Sequence, residues 1–328
     1  MISTGFVNSI KRGCRQLCGR RIYFFAMTVI PIVLAGFLLG LMRNGLPLHI
    51  PTAIVNHDNT ESTRKLIRNI KSSEEVSVVS VVSSEAEAMQ LIRKGKIYGF
   101  YVIPFNFTSD ATAGRAPELA YYTNSTFFIP SSLLFRSLKT NSVLASGAIV
   151  KTYLVNSGAA TDAQAQTLLQ PVVLQTNPLH NPESNYSVYL CNSFIPAALA
   201  LMILLVTAYS IWHEEKMQTS PQWIKEAHGS ITIALLGKLL PQTVVFAAVG
   251  VFMQSLMYGY LHFPLNCSPW QAVGTMLLFV LANQGFAVFI SGIMPNLRMA
   301  LSFCSLFGIL TFSIGAFSFP LEDMYGSI

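Results

Sequence analysis

Residues 212–241 run WHEEKMQTSPQWIKEAHGSITIALLGKLLP, a polar segment set between two long apolar stretches. His213, Glu214, Glu215 and Lys216 end the first stretch abruptly, and Gly237, Lys238 and Pro241 open the second. A chain that leaves an apolar phase and re-enters it through one short loop returns on the side from which it emerged. Every other segment is placed relative to that side.

The composition explains why an apolar phase is needed. Of 328 residues, 52% are hydrophobic and only 11% charged, and the mean hydropathy is +0.49. An ordinary soluble domain carries about a quarter charged residues, so this is a multi-span membrane protein. The net charge of +6 is modest, and outside the N-terminus the basic residues are scattered, which excludes a nucleic-acid-binding protein. Cysteines 14, 18, 191, 267 and 304 are odd in number and mostly lie in or beside apolar runs, so no disulfide framework is expected. Cys14 and Cys18 share a helix face, but no His or acidic residue stands at ligand spacing, and no metal site is expected there.

Working outward from the loop, residues 1–21 carry Lys11, Arg12, Arg15, Arg20 and Arg21, while Phe6, Ile10, Cys14 and Leu17 recur near helical spacing. This predicts an amphipathic helix on the membrane surface. Ile22 to Met42 is long enough to span, and the basic residues before it place the N-terminus in the cytoplasm. Residues 43–188 are patterned like a soluble domain. Strands are expected at Ile50–Asn56, Val76–Val82, Tyr98–Ile103 and Glu118–Thr123. Helices are expected at Thr60–Lys71, capped by Asp58 or Asn59, and at Ser84–Lys94, capped by Ser84 with Glu87 three residues on. Helix is favoured over Ser131–Gln170, where Leu134, Leu138, Ala145 and Ile149 mark one face; a short strand at Pro171–Gln175 and a polar linker to Ser187 follow. The result is an α/β domain on the extracytoplasmic side.

Four more spans are expected, at Tyr189–Ile211, Leu239–Tyr258, Trp270–Ile290 and Met299–Ser318. Lys216, Lys225, Lys238 and Arg298 fall on the inner segments, whereas the outer turn from Gly259 to Pro269 has no Lys or Arg, as the positive-inside rule requires. Five spans leave Phe319 to Ile328 outside.

No catalytic constellation is present. Gly229 and Gly237 are too far apart for a phosphate loop and Lys238 precedes Leu239, so the chain is not expected to bind ATP itself. His49 and His57 lack a second set of ligands. The spans as drawn contain no Asp, Glu, Arg or Lys, which argues against a proton relay. Their polar residues, Asn192 and Ser193, Asn283 and Gln284, serve either as interhelical hydrogen-bonding groups or as contacts along a path. In the loop, Trp223, Ile224, Ala227, Ile231 and Ala234 fall at helical spacing with Lys225, Glu226 and His228 among them. That predicts one short amphipathic helix, either a surface connector or a helix that docks on a partner.

The order of these features resembles the permease subunits of ABC-type exporters of the ABC-2 class with a large extracytoplasmic domain after the first span. The resemblance runs through the basic N-terminal helix, Pro31, the stretch PTAIVNHD at 51–58, the stretch SSEAEAMQLIRKGKIYGFYVIPFNF at 83–107, and the Phe319, Pro320 and Met324 motif after the fifth span. In the loop, where the family has Arg-Glu-x-Glu-x-Gly-Thr and later Gly-Lys and Pro, the matches are Glu214, Thr219, Gly237, Lys238 and Pro241. His213, Lys216 and Gln218 stand at the Arg, second Glu and Gly positions.

The resemblance implies a membrane subunit without catalysis of its own, coupled through His213, Glu214, Glu215, Lys216, Thr219, Trp223, Gly237 and Lys238 to separate ABC ATPase subunits that bind ATP and Mg. It further implies a second permease subunit, a possible periplasmic adaptor, residence in a bacterial cytoplasmic membrane, and a sixth span that this sequence does not contain, as in a truncated gene. An alternative from a different class is a non-transporting surface receptor or scaffold that uses the spans as an anchor.

Overall fold

The computed structural model describes residues 2–43, 45–169, 181 and 185–314. It divides into two compact units, residues 1–46 with 178–328, and residues 47–177. The strand expected at 171–175 and the Phe319, Pro320 and Met324 motif lie outside the described residues.

The first unit opens with helix α1 (Ile2–Gly19) and the first long apolar helix α2 (Arg21–Leu41), which widens into a π-helical turn at Phe25–Val29. The face of α1 set against the protein is not quite the apolar stripe expected. Gly5, Ser9 and Gly13 are buried, Phe6, Ile10 and Leu17 are half-buried, and Cys14 is exposed. Small residues four apart let two helix backbones approach closely, and that spacing outweighs the amphipathic pattern here.

The inserted unit holds a four-stranded sheet of order β2-β1-β3-β4, built from β1 (Ile50–Asn56), β2 (Val76–Val82), β3 (Gly99–Ile103) and β4 (Ala120–Thr123). Strands β1, β2 and β3 are parallel, and β4 runs antiparallel to β3. Between them lie α3 (Glu61–Lys71), α4 (Glu85–Arg93) and α5 (Phe107–Thr112), followed by α6 (Phe128–Asn156) and α7 (Asp162–Leu169). Alternate strand residues feed two cores. Ile54, Tyr101 and Ile103 pack with Leu66, Ile67 and Ile70 of α3 and with Leu134 and Leu138 of α6. Ala53, Val55, Phe100 and Val102 pack with Ala88 of α4. Gly99 cannot be replaced freely, because a Cβ there would stand 2.5 Å from the Tyr122 carbonyl oxygen.

Three local details differ from expectation. The cap of α3 is Thr60, whose hydroxyl accepts from Thr63 N–H, because Asp58 is engaged elsewhere. Its Oδ2 accepts from Thr60 Oγ1 at 2.9 Å, Thr108 N at 3.1 Å and Thr108 Oγ1 at 2.6 Å, tying the end of β1 to the first turn of α5. Strand β4 begins two residues late, at Ala120. The helical region starts earlier than expected, at Phe128, and is divided at a left-handed Gly158.

The chain returns to the first unit as α8 (Tyr186–Lys216), whose first N–H donates to the Gly45 carbonyl at 2.8 Å. After α9 (Ser220–Glu226) come α10 (Ile231–Tyr260), α11 (Pro269–Ile293) and α12 (Leu297–Ile314). Among the described residues, α2, α8, α10, α11 and α12 are long and apolar enough to cross a membrane. Cys191, Ile195, Leu199 and Ile203 of α8 share a core with Tyr23 and Met27 of α2 and Phe246 and Met253 of α10. Leu204 and Ala208 face Ala287 and Ile290 of α11 and Cys304 of α12.

Two helices overrun their expected spans. Helix α8 continues through Lys216, and α10 starts at Ile231 under a Ser230 cap rather than at Leu239. Gly237 and Lys238 therefore lie about two turns inside α10 instead of in the loop. The spans as drawn hold no charged residue, but the helices run beyond them, and the added turns bring in Glu214 and Lys238, buried against each other.

Candidate functional site

The loop between α8 and α10 is built around one carboxylate. Glu214, in the last turn of α8, is 3% exposed, and Lys238 of α10, 2% exposed, donates to its Oε1 at 2.7 Å. Its Oε2 accepts from Arg12 Nη2 of α1 at 2.9 Å and from the Thr219 hydroxyl just past the helix end. Arg12 also reaches Glu226, the last residue of α9, through Nη1 at 2.9 Å. One arginine of the N-terminal helix thus spans the end of α8 and the end of α9. Two carboxylates and two cations balance, which is what makes burial of Glu214 and Lys238 tolerable.

Trp223 closes the inner side. Its ring lies under the Lys238 ammonium, 4.7 Å from centroid to Nζ, an arrangement that favours the cation electrostatically. Its indole N–H donates to the Ala234 carbonyl at 3.3 Å, and Trp223, Ala227 and Ala234 form a small buried cluster. The loop is not the single amphipathic helix expected. Helix α9 stops at Glu226, His228 and Gly229 turn left-handed at φ 55° and 83°, and Ile231, on the expected apolar face, is 61% exposed. Burial of Trp223 and Ala234 is achieved by folding the chain back rather than by one continuous face.

The end of α8 explains the spacing of Glu214 and Thr219. Thr219 N–H donates to the Glu214 carbonyl at 2.9 Å, and Gln218 N–H to that of Glu215 at 3.0 Å, the paired bonds of a Schellman ending. Gln218 carries the left-handed turn, φ 56°, at the position where the related motif has glycine.

The remaining expected residues take peripheral places. His213 is buried and stacks on Tyr209, with centroids 5.6 Å apart. Glu215 accepts from the Ser220 hydroxyl at 3.1 Å, and Lys216 is exposed. Gly237 is buried where α10 crosses α1; a Cβ on Gly13, across the crossing, would stand 3.2 Å from the carbonyl oxygens of Gly237 and Lys238. Asn192, Asn283 and Gln284 do not join this cluster. Asn192 Oδ1 accepts from Tyr258 OH at 3.1 Å, and Gln284 Oε1 from Thr243 Oγ1 at 2.7 Å, both between helices. Asn283 instead donates to the Phe279 carbonyl of its own helix at 2.8 Å.

Sequence reasoning missed Arg12, Glu226, Ser9 and Gly13. Arg12 is one of five N-terminal cations with nothing in the sequence to mark it out. The Gly5, Ser9, Gly13 spacing was the available signal for a close helix crossing.

Residues 21–328 match the family profile described as ABC-2 family transporter protein. The chain belongs to that family. A stretch of 98 residues is 30% identical to the linearmycin resistance permease protein LnrN of Bacillus subtilis (strain 168), covering 30% of this chain and 25% of that relative. No solved structure matches. The match thus spans about a quarter of that relative's length, and this member of the ABC-2 transporter family is a multi-pass membrane protein by its long apolar helices. The Glu214 cluster lies where the second and third long apolar helices meet the loop between them.

Proposed function

We propose that this chain is the membrane subunit of an ATP-driven exporter in a bacterial cytoplasmic membrane, with its N-terminus and the 212–238 loop in the cytoplasm. The observation that carries the reading is the convergence of α1, α8, α9 and α10 on Glu214. A push on the loop or on α1 moves two long apolar helices together, because their ends are joined by buried bonds. Separate ATPase subunits, holding ATP and Mg, would dock on this surface and drive a hinge or shear transition of the bundle. Lys216, Lys225, Lys238 and Arg298 on the same side support the orientation, which leaves the inserted α/β domain extracytoplasmic, where it caps the path or receives a periplasmic adaptor.

A second permease subunit, identical or related, completes the path. The name of the Bacillus relative ties that protein to resistance against linearmycin, and an amphipathic cargo suits apolar helices that carry Asn192, Asn283 and Gln284 away from the charged cluster at their ends.

The experiment is co-purification of the full chain with a candidate ABC ATPase, followed by Glu214→Arg. The expected results are a stable complex with the unchanged chain and loss of transport-coupled ATP hydrolysis in the variant. Failure of any ABC ATPase to associate with the full chain overturns the reading.

A further inference from the structure

Beside the Glu214 cluster lies an open cleft of about 560 Å³ between α1 and the end of α8. Four cations line it, Lys11, Arg12, Arg15 and Arg20, against two carboxylates, Glu214 and Glu226. Both carboxylates are already bound by Arg12, and Glu214 also by Lys238. Lys11, Arg15 and Arg20 have no ion-pair partner among the described residues. The cleft thus offers uncompensated positive charge, in a helix that contains no acidic residue.

His213 also lines the cleft, but it is 5% exposed and its Nδ1 is enclosed by protein, so the ligand-binding groups are the cations. Asn8 and Gln16 line the same cleft and add amide donors and acceptors.

Position decides the class of ligand. Arg20 immediately precedes α2, and His213 and Glu214 lie in the last turn of α8, so the cleft sits where two membrane-crossing helices end on one side. That is the level of lipid headgroups, where Lys and Arg meet anionic lipid. We propose that the cleft binds the phosphate of one anionic phospholipid, its acyl chains lying along the apolar surface of α2, with Lys11, Arg15 and Arg20 on the phosphate and Asn8 and Gln16 on a hydroxylated headgroup. The site requires only that these helices cross a bilayer; it shares Arg12, Glu214 and Glu226 with the surface assigned above to the ATPase, and the test reads lipid and ATPase separately.

The test is native mass spectrometry of the full chain in neutral detergent, titrated with dioctanoyl phosphatidylglycerol, dioctanoyl phosphatidylcholine or inorganic phosphate. Phosphatidylglycerol is expected to be retained at one copy in preference to phosphatidylcholine, and inorganic phosphate at equal concentration is expected not to displace it. The double variant Lys11→Ala, Arg15→Ala, which leaves the Arg12 ion pairs in place, is expected to bind roughly thirtyfold more weakly, and Lys11→Arg, Arg15→Lys to bind as the unchanged chain does. Equal retention of the two lipids, displacement by inorganic phosphate, or unaltered binding in the alanine variant overturns the proposal. If the alanine variant instead loses a co-purifying ATPase while lipid binding is unchanged, the cleft is a protein-docking surface and the lipid assignment fails.

Discussion

Gly237 of α10 faces Ser9 of α1 so closely that a Cβ on the glycine would overlap the serine Cβ. The crossing is reciprocal, because Gly13 sits against the Gly237 and Lys238 carbonyls. This contact, two turns inside α10, sets the distance at which Arg12 can reach Glu214. The approach of the N-terminal helix and the buried ion pairs are one arrangement.

Gly237→Val is accordingly expected to push α1 off α10. Overpacking of this kind costs about 1–3 kcal/mol, and the displaced helix should expose its Lys and Arg residues to trypsin. Limited proteolysis of purified protein checks this, with cleavage after Lys11 or Arg12 expected in the variant well before the unchanged chain is cut.

Removal of one partner of the Glu214 and Lys238 pair should be far worse than removal of both. Glu214→Ala leaves a buried ammonium with no carboxylate, an effect on the order of 3–5 kcal/mol. The double variant Glu214→Leu, Lys238→Met should recover most of that loss, since apolar residues of similar volume replace a buried pair with little net cost. Thermal unfolding of the unchanged chain, Glu214→Leu, Lys238→Met and the double variant in one detergent gives the coupling; equal losses in the single and double variants would contradict it.

Gln218→Gly should stabilise the loop. A non-glycine residue in the left-handed region costs roughly 1–2 kcal/mol, and the Schellman bonds of Thr219 and Gln218 depend only on the backbone. A rise in the thermal midpoint is expected, whereas Gln218→Val should lower it.

In the inserted domain, Asp58→Ala removes the acceptor shared by Thr60 and Thr108. The expected loss is about 1–3 kcal/mol, concentrated at the first turn of α5. Hydrogen exchange on the full chain should show faster exchange at 107–112 with little change in β1.

Much of the fold was legible because strong periodic signals coincided with the final packing. The β-branched runs at 50–56 and 76–82 became strands with those bounds, and five apolar runs became five long helices. The helix ends were not legible in the same way. Hydropathy marks where apolar surface stops, whereas a helix stops where its backbone bonds find other partners, as at Ser230 and Gln218. The same gap hid the candidate site. Glu214, Lys238, Thr219 and Trp223 stood out in the loop, but their true partners, Arg12 and Glu226, are defined by a helix crossing that small residues permit. A pattern tuned to apolar spacing passes over glycine and serine.

Arg12 and Glu214 are separated by 202 positions in the chain. At a synthesis rate of about 5–20 residues per second, Arg12 leaves the ribosome roughly 10–40 s before the carboxylate it will hold. Through that interval the residues that Gly5, Ser9 and Gly13 pack against, from Ala227 to Lys238, have not been made. The first segment made is thus among the last to find its place, and assembly of the loop is timed by the arrival of α8 and α10 rather than by folding of the N-terminus.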